Sequence, residues 1–214
     1  MYQAKFKFFT LCILLLSGLW FTGNGIYIQA KAMLAQVLLE QAWKNTLSGE
    51  IKSKPWPWAD TWPVARMRVP RLDIDLIILA GDSGRTLAFG PGHNFASADP
   101  GQTGNSLISA HRDTHFEFLQ HLNDGDSIYI DTRSQLNKHF KVSSSQIVNM
   151  QNTILVPEEN AALLHLVTCY PFDSLLPGGE QRFIVSAIEQ NERRGPLFKT
   201  EISHTRPLSN TSVF

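Results

Sequence analysis

From Phe8 to Ile28 the chain carries no charged residue, and Phe8 to Phe21 is almost wholly apolar. In a bilayer such a segment has one stable solution, a helix, because its backbone N–H and C=O groups find no water and must pair within the segment. Spanning takes roughly 20 residues, a length that Phe8–Ile28 meets. Lys5 and Lys7 precede the run, and Trp20, Phe21 and Tyr27 lie near its far end. That order favours a cytoplasmic N-terminus. Ala30-Lys31-Ala32 has the small residues of a cleavage site, but Lys31 between the alanines and the length of the run favour an uncleaved anchor. Cys12 lacks the small-residue neighbourhood of a lipid attachment site. The expected order is a cytoplasmic segment 1–7, a transmembrane anchor 8–30, and all later residues on the periplasmic or extracytoplasmic side of the inner membrane.

Beyond the anchor, Leu34, Val37, Leu38, Leu39, Ala42 and Trp43 recur at helical spacing, which predicts an amphipathic helix on the membrane face or against the following domain. Glu50 to Asp60, with Pro55 and Pro57, reads as a stiff connector, so 31–60 is helix plus linker. The segments Ala65–Val69, Leu72–Leu79, Asn105–Ala110, Ser127–Asp131, Phe140–Met150, Thr153–Val156, Leu163–Cys169 and Arg182–Gln190 are short and separated by turn residues. That is the pattern of an all-β barrel or sandwich. Phe116, Phe118, Leu119 and Leu122 suggest a turn or two of helix on its flank. Gly101-Gln102-Thr103-Gly104 lacks the lysine and helix of a phosphate loop and reads as a turn. The domain spans 61–190. The polar tail 191–214, with Pro196 and Pro207 and no periodicity, is expected to be loosely ordered.

The chain has 214 residues and a formal net charge of zero, enough for one domain after the anchor. Nothing in the charge suggests a nucleic-acid partner. Cys12 lies inside the anchor, so it cannot pair with Cys169, the other of the two cysteines. An unpaired thiol in an oxidising compartment is a candidate reactive group.

Cys169 ends the apolar run Ala161–Thr168, and Tyr170-Pro171-Phe172-Asp173 breaks it at once. A lone cysteine is often a small buried hydrophobe. Two other features point to a nucleophile instead. Asn105–Ala110, a second short apolar segment, ends in the polar cluster His111-Arg112-Asp113-Thr114-His115-Phe116. Arg182 opens the next strand after Cys169. If the Cys169 and Arg182 strands pair antiparallel, and the His111 strand runs parallel to the former, then thiol, imidazole and guanidinium meet at one rim.

These residues, in this chain order, resemble the sortases, membrane-anchored cysteine transpeptidases. More narrowly the chain is similar to the proteobacterial sortases called class GN. The segments carrying that likeness are Trp62-Pro63-Val64-Ala65-Arg66, Leu87-Ala88-Phe89-Gly90-Pro91-Gly92-His93, His111–Phe116 and Val167–Asp173. The resemblance covers roughly Trp56 to Gln190, plus the anchor. It implies a closed β-barrel of about eight strands with short flanking helices. It also implies Cys169 as nucleophile, His111 as proton donor to the leaving amine, and Arg182 as stabiliser of substrate and oxyanion. The implied donor is a client protein bearing a C-terminal Leu-Pro-x-Thr-type signal, and the implied acceptor is an amine in the cell envelope. A Pro-bearing loop such as Pro157–Ala162 would suit the Leu-Pro dipeptide.

Thr168 is expected to position substrate or backbone. Asp113 either orients His111 or ends the strand as a turn carboxylate. His93 packs beside the site, with a structural role favoured. His165 belongs to a barrel face, and Arg112 to a surface or loop contact. His115 with His111 and Cys169 would give three zinc ligands, but no fourth is evident and Arg182 would repel a cation. No metal and no cofactor are therefore expected. Two alternatives remain on the same residues: a hydrolytic cysteine peptidase, and a tethered binding barrel with an inert thiol.

Overall fold

The computed structural model describes residues 2–149, 158–174 and 178–190. The expected strand Thr153–Val156, Pro157 and the tail 191–214 lie outside them. A helix α1 (Tyr2–Leu47) precedes a closed barrel of eight strands. The strands are β1 (Pro63–Val69), β2 (Ile74–Ala80), β3 (Gly92–His93), β4 (Gly104–Ser109), β5 (Ser127–Thr132), β6 (Lys138–Asn149), β7 (Ala162–Cys169) and β8 (Gln181–Glu189). Around the barrel they run β1-β2-β3-β4-β7-β8-β6-β5. Two neighbouring pairs, β2 with β3 and β4 with β7, are parallel and the rest antiparallel. It follows that β1, β4 and β7 point the same way.

Strand alternation fills the interior. Ala65, Met67 and Val69 of β1, Ile128 and Ile130 of β5, Leu164 and Leu166 of β7, and Val185 and Ala187 of β8 are buried in one core. Phe116 and Leu119 join it from the flank, where the expected helix is a 3-10 helix, Glu117–His121.

The amphipathic segment after residue 30 continues the apolar one, and α1 runs through both as one helix. Its first part is exposed. Its last turns bury Leu39, Ala42 and Trp43 against the barrel. Glu40 pairs with Arg66 at 3.1 Å, and Arg66 grips Asp75 of β2 with two nitrogens at 2.5 and 2.8 Å. The Gln36 amide donates to the Phe89 carbonyl at 3.0 Å. Burial and the single Glu40–Arg66 pair hold the helix to β1, and the bidentate Arg66–Asp75 pair ties β1 to β2.

Two small elements are illegible in the pattern. Strand β3 has two residues, too few for alternation to show. Helix α2 (Gly84–Leu87) is one turn, capped where the Thr86 N–H donates to Ser83 Oγ at 3.3 Å. The Leu72–Leu79 segment starts late because Pro70–Leu72 forms a 3-10 turn closed by Asp73 at φ 54°. Between α2 and β3 the backbone is packed tightly. A Cβ on Gly92 would meet the Gly81 carbonyl oxygen, and the Asp82 Cα at 2.9 Å. Gly92→Ala is therefore expected to cost about 1–3 kcal/mol, read as a lowered urea midpoint, and an unchanged midpoint would contradict this packing.

Candidate active site

On β7 the side chains alternate, with Ala162, Leu164, Leu166 and Thr168 inward and Leu163, His165, Val167 and Cys169 outward. The inward set is buried and Cys169 is half-buried with a free thiol. Cys169 thus sits at the strand's last position on the face away from the core. The antiparallel β7–β8 register sets Cys169 directly opposite Arg182. On the other side, the parallel register sets Ser109 beside Val167. The ladder continues one step further, where the Ala110 N–H donates to the Val167 carbonyl at 3.2 Å. His111 follows two residues past Ser109, exposed, at the Cys169 end of the neighbouring strand. Adjacent strands lie about 4.8 Å apart. Cys169 and Arg182 are therefore paired across β7 and β8, and the exposed His111 follows β4 at the same end of the barrel.

Several interactions fix that rim. Thr168 points inward and its hydroxyl donates to the Ala110 carbonyl at 2.8 Å, both groups buried. This bond joins the residue before Cys169 to the residue before His111. The Tyr170 N–H donates to the Gln181 carbonyl at 3.1 Å, closing the mouth of the β7–β8 connection. Arg182 Nη1 donates to the carbonyls of Gly179 and Gln181 at 2.7 and 2.9 Å. Phe172 packs edge-on to Phe183 at 5.3 Å, so the loop after Cys169 rests on β8.

Arg112 makes the loop contact rather than a surface one: it is buried and donates to the Ser174 carbonyl at 2.8 Å. It ties the loop after β4 to the loop after β7. Its place beside a histidine in a polar cluster gave no sign of burial. Phe172 and Phe183 were also missed, because their contact spans the β7–β8 connection.

The remaining candidates divide. Asp113 is exposed, and among the described residues no hydrogen bond joins it to His111. His93 is buried in β3, level with Ile108 of β4, and its Nε2 faces the Ala98 carbonyl at 2.9 Å and Ser97 Oγ at 3.2 Å. That is a structural brace for the strand that flanks β4. His115 lines a cleft of about 410 Å³ with Thr114, Phe118 and His121. Burial, and then the nearby charge of His111, push its pKa below the usual value.

His165 is buried although it lies on the outward face. Its Nδ1 faces Ser186 Oγ at 2.9 Å and its Nε2 faces Asn105 Oδ1 at 3.2 Å. An amide oxygen only accepts, so the network assigns the proton to Nε2, with Nδ1 accepting from the serine. Burial pushes the His165 pKa down, in accord with a neutral ring.

Comparison with known proteins decides the family. A Sortase domain model matches residues 67–190. This chain belongs to the sortase family. It is 29% identical over 120 residues to Sortase D of Bacillus subtilis (strain 168), a match covering 56% of this chain and 60% of that protein. Among solved structures, it is similar to a lid mutant of sortase A from Corynebacterium diphtheriae, with 26% identity, TM-score 0.56, and 74% of this chain and 95% of that one covered. Sortase C-1 from Actinomyces oris matches with 28% identity, TM-score 0.53, and 60% and 72% coverage. Among the described residues of this sortase, no group of three or more His, Cys, Asp or Glu is arranged to hold a metal ion.

Two expectations follow for this sortase. Thr168→Val leaves the buried Ala110 carbonyl without its donor, a loss of about 1–3 kcal/mol in denaturant unfolding; no loss would mean that this bond does not join the two strand ends. His115 and His165 bind protons more readily unfolded than folded, so stability falls as pH drops below about 6.5. His165→Gln should flatten that fall below about pH 6.5, and an unchanged slope would contradict the assignment.

Proposed function

We propose that this sortase is a membrane-anchored transpeptidase that cleaves a client protein through a Cys169 thioester and passes the acyl group to an amine. The observation that carries this reading is the placement of Cys169 opposite Arg182, with the β4 strand leading into His111 alongside. Each residue supplies what the chemistry lacks without it. The Cys169 thiolate attacks the scissile carbonyl, forming a C–S bond. His111 gives a proton to the departing amine as the C–N bond breaks, so that the tetrahedral intermediate moves forward. Arg182 stays protonated and cannot act as a base. Its five N–H donors exceed the two backbone bonds it makes, and they serve to hold the substrate backbone and the developing oxyanion. An incoming amine then attacks the thioester, loses a proton to His111 and releases the thiolate.

Thr168 positions this rim through Ala110, Asp113 is a loop carboxylate that can steer His111, and His93 supports β4 from β3. The class GN likeness of the segments around Trp62, His93, His111 and Cys169 supports a dedicated client with a Leu-Pro-x-Thr-type signal. The acceptor is an amine of the cell envelope. Helix α1, among the described residues the one helix long and apolar enough to cross a membrane, is read as the inner-membrane anchor. The catalytic barrel then lies on the periplasmic side.

The test incubates the full chain in detergent with a pool of Leu-Pro-x-Thr-x peptides and excess small amine, followed by mass spectrometry. An amine-exchanged product that is absent with Cys169→Ala supports transpeptidation, whereas a hydrolysed product alone would shift the reading to a peptidase. Arg182→Ala is expected to lower kcat/KM about 10²- to 10³-fold; an effect below tenfold would remove Arg182 from oxyanion stabilisation.

A further inference from the structure

The outer end of α1 forms one wall of a cleft of about 620 Å³, with Leu34 and Leu38 on the helix, Trp56 and Trp58 on the connector, and Phe89 beyond α2. Lys31, Arg85 and Asp60 also line it, with Arg85 3.9 Å from Asp60, so the rim carries two cations against one carboxylate. Trp58 is 82% exposed, and Trp56 meets Phe89 edge-on at 4.9 Å. A barrel surrounded by water gains nothing by presenting such rings, and clustered exposed apolar surface marks a contact site.

The position of the cleft along α1 points to its occupant. Phe8–Ile28 is roughly 30 Å of helix, the thickness of the hydrocarbon core. Lys31 lies about 5 Å and Leu38 about 15 Å beyond Ile28 along the axis. The headgroup layer occupies about 5–8 Å on each side of that core, and a tilted helix brings one flank closer. The Lys31 end of the cleft therefore lies at the headgroup level, with the Leu38 end just outside it. Tryptophan rings flanked by lysine and arginine suit that zone, with rings among glycerol and acyl carbons and cations on phosphate.

Strand direction adds a second observation. Thr46 of α1 shares a cleft with Trp62 and Pro63 at the start of β1, and Glu40 meets Arg66 further along. Helix α1 thus runs antiparallel to β1, and its N-terminal end leaves past the Val69 end. Because β4 and β7 point the same way as β1, the ends that carry His111 and Cys169 also face that direction.

We propose that the Trp56–Trp58–Phe89 cleft seats the barrel on the phospholipid headgroups of the outer leaflet, and that the Cys169 rim consequently faces the bilayer. This rests on the reading of α1 as the anchor. A peptide emerging from the same membrane then meets the thiol without any turning of the barrel.

The test places nitroxide labels on full-length single-cysteine proteins in vesicles of phosphatidylcholine and phosphatidylglycerol, all carrying Cys169→Ala. One label is on the native Cys12. The second is on Trp58→Cys and the third on Leu136→Cys, each with Cys12→Ser. Leu136 is exposed and lies between β5 and β6, at the opposite barrel end. Relaxation by oxygen is compared with relaxation by a water-soluble nickel complex. The oxygen-to-nickel ratio is expected to be high at Cys12 and several-fold higher at position 58 than at position 136. Adding Lys31→Glu and Arg85→Glu should lower the ratio at position 58. A high ratio at Cys12 with position 58 as aqueous as position 136 refutes the seat and leaves the anchor standing. An aqueous Cys12 refutes the anchor, and the seat with it.

Discussion

The parallel pairing of β4 with β7 is the constraint on which the site depends. Side chains alternate along a strand, so a slip of one residue would turn every outward group inward. The observed register sends Leu164, Leu166 and Thr168 to the core and leaves Cys169 on the outer face. The same register brings the end of β4 at Ser109 level with Val167, so the chain leaves β4 for His111 near the Cys169 end. The antiparallel partner β8 adds Arg182 from the other side. No single strand holds the three groups, and the barrel's hydrogen bonding brings them together.

The core enforces that register. Moving β7 by one position would bury Cys169 and His165 in place of Leu164 and Leu166, exchanging apolar contacts for polar groups without partners. The buried Thr168–Ala110 bond adds a local lock, and the Arg112–Ser174 bond extends it to the two following loops. The site is thus built on strand ends and braced by loop contacts. That combination fixes the position of Cys169 at the end of β7.

Much of this was legible in the chain. Apolar runs that end abruptly at Cys169 and at His111 marked two strand ends, and Arg182 marked the start of a third. The longer strands were readable because alternation over five or more residues leaves a clear pattern. Strand β3 was not readable, since two residues carry no period. Its Gly92 is required by close approach to Gly81, a contact that depends on the fold. Of the surface or loop contact read for Arg112, the structure shows the loop contact, and its burial was hidden because the partner lies more than sixty residues later. His165 looked like a face residue; its partners Asn105 and Ser186 come from two other strands. Helix α1 runs unbroken from the exposed apolar segment into the part packed on the barrel, since a change of surroundings need not interrupt a helix.

The convergence of His111 and Cys169 can be measured directly. In full-length protein carrying His111→Cys and Cys12→Ser, mild oxidation should join position 111 to Cys169, and peptide mapping should find that disulfide with the loss of two hydrogens. Rapid formation is the result this account predicts, because the β4–β7 register sets the two positions side by side. Two thiols that remain freely alkylable after oxidation would contradict it.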